Sequence, residues 1–169
     1  MLYRSLAIVI SYCVEVWGNN YKTVIKPIVL LQKKALRIAS KSDYLAPTNP
    51  LFIDFQTLKL QDLVDLSTAI IMYKAHNHLL PTCVLELFRP RESQYELRGT
   101  AIFRRNNARI NNKNRCVSVI GVKLWNSLDN ELKNSSSIYN FKRMYKTKVI
   151  NKYRTLEWSI LYYYIISKY

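Results

Sequence analysis

Apolar residues recur at intervals of three and four along most of this chain, the spacing that places them on one face of an α-helix. The pattern is most regular over residues 58–78, where it predicts a helix that ends before Pro81. A short helical turn over residues 82–88 is predicted to pack against this helix. The apolar face of the longer helix consists of Leu60, Leu63, Val64, Leu66, Ala69, Ile70 and Tyr73.

Two more helices are predicted before residue 42. The first ends at Gly18, because glycine favours the left-handed conformation that often follows a helix C-terminus. Its apolar face consists of Tyr3, Leu6, Ile10, Cys13 and Trp17. The second follows at once, with Asn19 or Asn20 as its cap and Pro27 in its first two turns. Its buried stripe is predicted to consist of Ile28, Leu31, Ala35 and Ile38.

The second half of the chain alternates between polar and helical segments. Residues 89–115 are polar and rich in Asn and Arg. Here residues 101–110 and 116–120 can form either a short β-hairpin around the Asn-rich turn or a mobile loop. Gly121 is predicted to open an apolar helix that carries Leu124, Trp125 and Leu128. Ser137 can cap a last helix over residues 138–153, whose apolar side consists of Phe141, Met144, Tyr145 and Val149.

Together these elements predict a mainly α fold. A helical, bundle-like part occupies residues 1–88, and a basic hairpin or loop occupies residues 89–120. Helices follow at 121–157 and an aromatic tail at 158–169, so the C-terminal part is a small α+β or loop-rich basic unit. The residues predicted to be buried are Leu6, Ile10, Trp17, Leu31, Leu36, Leu63, Ile70, Tyr73, Leu124, Trp125, Leu128 and Phe141.

The charge of the chain indicates a polyanionic partner. Lys and Arg number 26 against 11 Asp and Glu, a formal net charge of +15 over 169 residues, which favours nucleic acid. Residues 16–42, 97–128 and 132–156 contain basic residues and no acid. Each such window alone is also typical of a solvated helix face, but three in one chain favour a binding surface.

Basic residues interleaved with amides and aromatics mark the candidate nucleic-acid-binding positions. Lys and Arg gain affinity for phosphates by releasing counterions, and aromatic rings can stack on unpaired bases. The backbone of RNA or DNA is therefore the expected partner. The predicted binding residues are Lys33, Lys34, Arg37, Arg104, Arg105, Arg109, Lys113, Arg115, Lys142, Arg143 and Lys146.

Residue types that support catalysis or metal binding occur in unfavourable arrangements. His76 and His78 are two apart and point to different sides of a helix, and Cys83 adds no fourth ligand. Asp62 and Asp65 share a face but have a sufficient reason to exist in the first turns of a helix, where its dipole favours acids. We therefore expect no catalytic residue, no metal and no cofactor.

The chain has three cysteines without paired spacing, which indicates a reducing compartment. It has no apolar run long enough to predict a membrane span. The expected location is intracellular, either nuclear or cytoplasmic, and a membrane partner is not expected.

Three stretches, residues 12–18 (YCVEVWG), 31–38 (LQKKALRI) and 121–128 (GVKLWNSL), together resemble the region that follows the polymerase domain in reverse transcriptases of non-LTR retrotransposons, the LINE elements of the jockey kind. Shorter matches at residues 49–52, 71–75, 95–99 and 141–142 occur in the order that such proteins show. The resemblance covers residues 2–153. The chain lacks the Tyr-x-Asp-Asp turn of the polymerase palm, so it resembles a detached C-terminal piece of such a protein.

The resemblance implies that the first helices correspond to the thumb-like part of the polymerase and the remainder to its C-terminal extension, both lying along template and primer. The expected function is therefore non-catalytic RNA or DNA binding by a fragment of an RNA-directed DNA polymerase. The missing palm and fingers of the parent protein are a second expected partner. The alternatives are a retroelement-derived protein-interaction module and a remnant without function.

Overall fold

The computed structural model describes residues 9–91, 103–104 and 108–166, with the backbone alone over 156–166. Within these ranges the chain is mainly α, as predicted, and an isolated antiparallel bridge joins Pro90 to Phe103. The helices are α1 (Val14–Trp17), α2 (Lys22–Ser40), α3 (Thr48–Asp54), α4 (Leu60–His76), α5 (Thr82–Leu85), α6 (Asn111–Asn114), α7 (Val117–Ser127), α8 (Asn130–Lys133) and α9 (Ile138–Ile166).

The centre of the fold is α4, which packs against α1, α7 and α9. The largest core cluster lies between α4, α7 and α9, around Met72, Trp125 and Phe141, all fully buried. A second cluster joins α1 to α4, and a third joins α2, α3 and α9 through Leu36, Phe52 and Tyr153. Because α9 contacts both α3 and α4, it connects the N-terminal helices to the C-terminal ones.

Of the eleven described positions predicted to be buried, five are buried, five are half-buried and one is exposed. Leu31 is an error, since 57% of it is exposed, and Leu6 lies outside the described residues. The predicted residues that are buried are Ile10, Leu36, Tyr73, Trp125 and Phe141, and those that are half-buried are Trp17, Leu63, Ile70, Leu124 and Leu128.

Both ends of α4 and the start of α9 agree with prediction, but the end of α9 does not. α4 matches its predicted range within two residues. Ser137 caps α9 as expected, since its Oγ accepts a hydrogen bond from the Asn140 N–H at 3.2 Å. However, α9 continues for 29 residues to Ile166, well beyond the predicted end at residue 153. No helix in the described part of the chain is both long and apolar enough to cross a bilayer.

The N-terminal helix differs from its prediction. Cys13 has a positive φ of 48°, so the helical path breaks there and α1 starts afresh at Val14. Gly18 has φ −69° and is right-handed, not the predicted left-handed cap. A Cβ at this position would lie 2.2 Å from Val64 Cγ2. Glycine is therefore required at residue 18 by the close approach of α1 to α4.

The buried face of α2 is rotated relative to the predicted stripe. Gln32 and Leu36 are buried, whereas Leu31 and Ile38 of the predicted stripe are 57% and 61% exposed. Gln32 is held inside by two hydrogen bonds, from its Nε2 to the Leu58 carbonyl at 2.9 Å and from the Leu60 N–H to its Oε1 at 3.0 Å. A buried polar residue with both groups satisfied is compatible with a core.

The β-hairpin alternative is wrong for residues 111–120. Residues 111–114 form α6, and α7 begins at Val117, four residues before the predicted start. Gly121 lies inside α7, where a Cβ would meet Met72 Sδ at 2.9 Å. Residue 103 is fastened by Asn126, whose side-chain amide donates to the Phe103 carbonyl at 3.0 Å and accepts from its N–H at 3.4 Å.

Candidate nucleic-acid interface

A row of cations runs along one side of α2. Helical residues advance by roughly 100° each, so the spacings of four, seven and four between Lys22, Lys26, Lys33 and Arg37 place them on one face. The row is about 22 Å long at a rise of about 1.5 Å per residue. Lys22 and Lys26 are exposed, and Lys33 and Arg37 are half-buried. We call these four residues the α2 row.

At the C-terminal end of the α2 row, Arg37 is held by a hydrogen bond, and Lys34 beside the row is exposed to solvent. Arg37 Nε donates a hydrogen bond to the Ala46 carbonyl at 2.9 Å, which holds the guanidinium against the loop before α3. Arg has five N–H donors in a planar fork, so one such bond leaves others for a phosphate. Lys34 is exposed and stands about 100° round the helix from Lys33, beside the row.

Arg115 joins the Asn-rich segment to the start of α2. Its guanidinium carbon lies 3.2 Å from the centroid of the Tyr21 ring, and Tyr21 directly precedes Lys22. This stacking is typical of Arg, whose planar cation is attracted to the face of an aromatic ring. Arg115 therefore lies beside the N-terminal end of α2, whereas the predicted residues Lys33, Lys34 and Arg37 lie in the C-terminal half of this helix.

A cleft opens beside this stack. It has a volume of about 380 Å³ and is lined by Glu15, Val16, Asn19, Asn20, Tyr21, Asn112, Arg115, Cys116 and Val117. Asn19 Nδ2 and Arg115 Nη1 are buried and have no hydrogen-bond partner among the described residues. We call this feature the Tyr21 cleft. Among its lining residues Arg115 is the one predicted from the sequence to bind nucleic acid, although the amide pairs at 19–20 and 111–112 are a visible signal.

The other cations of the Asn-rich segment are solvent-exposed. Lys113 lies on α6 and Arg109 just before it, and both are exposed. Arg104 is exposed too, while its backbone N–H donates to the Arg89 carbonyl at 2.9 Å. Arg105 lies outside the described residues. Lys113 lies in the chain between Asn112 and Arg115, which both line the Tyr21 cleft.

A second basic patch lies near the start of α9, where Lys142, Arg143 and Lys146 are exposed. Acids accompany this patch. Arg143 lines a cleft of about 520 Å³ with Asp129, Glu131 and Lys148, and Lys148 forms an ion pair with Asp129. The α9 patch is therefore electrostatically mixed, unlike the α2 row.

The Asp62 carboxylate takes part in contacts between α4 and α9. Asp62 accepts a hydrogen bond from the Tyr153 hydroxyl. The same hydroxyl accepts the Lys59 N–H at 3.1 Å, and Lys59 Nζ lies 4.4 Å from the centroid of the Tyr153 ring. Burial of the Tyr153 hydroxyl, followed by its hydrogen bond to Asp62, raises its pKa. These contacts fasten α9 to the first turn of α4.

The His76 ring packs among aromatic side chains. Its ring centroid lies 5.6 Å from that of Trp125 and 6.4 Å from that of Phe103. Burial lowers the pKa of His76, and the neighbouring charges of His78 and Lys133 lower it further. The lowered pKa favours the neutral imidazole, which packs against the Trp125 and Phe103 rings. Cys83 is exposed.

The predicted binding residues therefore occupy three places: the α2 row with Lys34, the segment that leads to Arg115, and the α9 patch. Lys22 and Lys26, which were not among the predicted residues, lie along α2 between the Arg115–Tyr21 stack and Lys33. Comparisons of the chain with protein-family models, with curated proteins and with solved structures found no match.

Proposed function

We propose that this protein holds single-stranded RNA or DNA by its sugar–phosphate backbone and performs no reaction of its own. The observation that carries this proposal is the α2 row, four cations on one helix face that continue into the Arg115–Tyr21 stack. Each phosphate that a cation neutralises releases counterions, which gives affinity without regard to base sequence. Such a role agrees with the expected origin in the post-polymerase region of a retrotransposon reverse transcriptase.

The α2 row is favoured over the α9 patch as the main contact surface. No acid occurs between residues 16 and 42, so α2 itself presents no carboxylate to a phosphate chain that lies along it. At the α9 patch, Asp129 already neutralises Lys148 and Glu131 lies in the same cleft. A phosphate there meets repulsion as well as attraction, and the contribution of this patch to binding is expected to be smaller.

A holding role is also supported by the engagement of the paired acids. Metal-assisted phosphoryl chemistry uses carboxylates that are open to an ion. Asp62 is instead bonded to Tyr153, and Asp65 accepts from Gln61 Nε2 at 3.3 Å. Asp62 therefore links α4 to α9, and Asp65 is hydrogen-bonded within α4.

The test is the salt dependence of binding to a labelled single-stranded oligonucleotide, measured by fluorescence anisotropy. Replacing Lys22, Lys26 and Lys33 with Ala should lower the slope of log affinity against log salt by about two, at roughly 0.7 per lost phosphate contact. Circular dichroism checks that the fold is retained.

The matched control replaces Lys142, Arg143 and Lys146 with Ala, which removes the same charge from the α9 patch. Its slope should fall by less. Equal losses in the two variants would show that net charge alone drives binding, and an unchanged slope in the α2 variant would refute the α2 row as the contact surface.

A second candidate function is protein binding, and a specific observation favours it. Val24, Leu31 and Ile38 are seven residues apart, lie on one side of α2 and are 54%, 57% and 61% exposed. An apolar row of this kind on a helix is typical of a surface that another protein covers. The polymerase palm and fingers of the parent protein would be the partner.

Replacing these three residues with Ser should then abolish a complex with a LINE polymerase domain that persists in about 1 M salt, where the Debye length is about 3 Å. Sedimentation velocity measures the complex. If association is absent, or the Ser variant retains it, the α2 apolar row is not the docking surface.

A further inference from the structure

We propose that the Tyr21 cleft binds one unpaired nucleobase of the held strand and prefers bases that carry an exocyclic amine. This inference rests on the proposed function and assigns a recognition site within it. Tyr21 is the stacking platform, Arg115 supports it from behind, and Glu15 with the amides of Asn19 and Asn112 meets the edge of the base.

The Tyr21 ring is placed for stacking. Arg115 covers it at 3.2 Å from the ring centroid, yet 48% of Tyr21 remains exposed. A ring that is fixed on one side by a guanidinium loses little freedom when a base packs on its open side, and every base offers a π face. Tyr21 is therefore a preorganised surface for a flat aromatic ligand.

The wall of the cleft holds a donor without a partner. Asn19 Nδ2 is buried and has no hydrogen-bond partner in the described part of the protein. A buried unpaired donor is costly, so a ligand that brings an acceptor within its reach is favoured. Ring nitrogens and carbonyl oxygens of bases are such acceptors.

Glu15 distinguishes a base from a bare phosphate. Glu15 lines the same cleft; a carboxylate there would repel a phosphate but can accept a hydrogen bond from an exocyclic amine, as acids do from cytosine N4. Uracil and thymine have no such amine. The mixture of one acid and several amides thus matches a base edge that both donates and accepts.

The cleft and the α2 row form one path. Tyr21 is followed directly by Lys22, and Lys26 lies four residues on, about 6 Å along the helix axis. A strand whose base occupies the cleft can therefore place its following phosphates on the row. The volume of about 380 Å³ lies in the lower range of small-molecule sites, and the adjoining row accounts for the backbone.

The experiment compares twelve-residue oligocytidine and oligouridine by fluorescence anisotropy at neutral pH. The unmodified protein should bind oligocytidine more tightly. Tyr21→Ala should weaken oligocytidine binding about tenfold, within the range found for loss of a base–aromatic stack, while the salt slope stays unchanged because the phosphate contacts remain. Tyr21→Phe should retain the affinity. Tyr44→Ala, which removes a tyrosine that is 72% exposed elsewhere, is the matched control and should also bind normally.

Glu15→Gln gives a second readout that does not depend on the ring, since it should reduce the preference for oligocytidine over oligouridine. Equal binding of both oligomers by the unmodified protein, or an unchanged affinity in Tyr21→Ala, would overturn the nucleobase site while a steep salt slope leaves the α2 row intact. Failure of the unmodified protein to bind either oligomer would overturn both proposals.

Discussion

Lys133 stands out among single residues because a charged side chain lies inside the fold. It is 3% exposed, and its Nζ finds no hydrogen-bond partner among the described residues. Burial lowers the pKa of this amine, and the nearby Asp129 carboxylate raises it less. Because the folded pKa is depressed, the unfolded chain binds the proton more readily, so Lys133 reduces the free energy of unfolding at neutral pH.

We predict that Lys133→Met stabilises the protein. Methionine fills a similar volume without the buried unpaired amine, and relief of such a group is worth roughly 1–3 kcal/mol. The melting temperature at pH 7 measures the gain. Lys123→Met removes an exposed lysine from α7 and should change the melting temperature little. An equal shift in both variants would attribute the gain to net charge.

Asp65 gives a pH-dependent prediction. Burial raises its pKa above the usual 3.8; the Gln61 hydrogen bond lowers it, the Asp62 charge raises it and Lys152 lowers it. The folded state therefore favours the protonated carboxyl, so the contribution of Asp65 to stability is greatest below pH 3.8 and is lost as the pH rises through the folded pKa.

Asp65→Asn should consequently raise the melting temperature at pH 7 and give no gain at about pH 3, where the carboxyl is protonated in both states. Asp54→Asn, at an exposed position of α3, provides the comparison. A gain of the same size at both pH values would mean that the charge of Asp65 is irrelevant.

At the scale of elements, Gly18 and Gly121 are both buried but differ in how far their neighbours can move to admit a side chain. A Cβ at residue 18 would meet Val64 Cγ2 at 2.2 Å and the Val14 carbonyl at 2.5 Å. A Cβ at residue 121 would meet the thioether of Met72 at 2.9 Å, and methionine adapts its shape readily.

Gly18→Ala is therefore expected to destabilise the fold by about 1–3 kcal/mol, the usual cost of overpacking. Gly121→Ala should be close to neutral, because the contact is soft and alanine favours a helix interior by up to about 1 kcal/mol. Urea unfolding of both variants measures the difference. A smaller loss at residue 18 than at residue 121 would contradict the close approach of α1 to α4.

The elements show where sequence periodicity suffices. α4 and the start of α9 were predictable because their apolar residues and the Ser137 cap agree. The face of α2 was not, since its outward residues Leu31 and Ile38 are as apolar as the inward ones and the true inward face includes Gln32. The break at Cys13 has no composition signal, because cysteine is not among the residues that favour a positive φ.

The candidate site was predictable in part for a similar reason. Charge and spacing on one helix are local, so Lys33 and Arg37 were found from the sequence. The approach of Arg115 to Tyr21 joins residues 94 positions apart, and no local pattern specifies it.

At the scale of the whole molecule, Trp125 tests whether the fold behaves as one unit. It is fully buried and contacts Tyr73 and Phe141, with ring centroids 6.5 and 6.0 Å away. Trp125→Ala should cost about 3–5 kcal/mol, a large share of the stability of an ordinary domain.

Guanidinium unfolding followed by circular dichroism measures the loss. Tyr139→Ala, at a position that is 71% exposed, should leave the midpoint nearly unchanged. If Trp125→Ala kept its midpoint, the cluster between α4, α7 and α9 would not be the main source of stability.

Gln32 has a consequence for the uniqueness of the native state. α2 carries one apolar row inside and another outside, so turning the helix about its axis would exchange two surfaces of similar hydrophobicity. The turned arrangement would strip the Leu58 carbonyl and the Leu60 N–H of their partner, and that loss selects one orientation.

Gln32→Met, close in shape but unable to hydrogen-bond in this way, should let α2 sample several orientations, seen as broadened or duplicated amide signals of residues 22–40 in NMR spectra. One sharp set of signals would show that packing alone makes the choice.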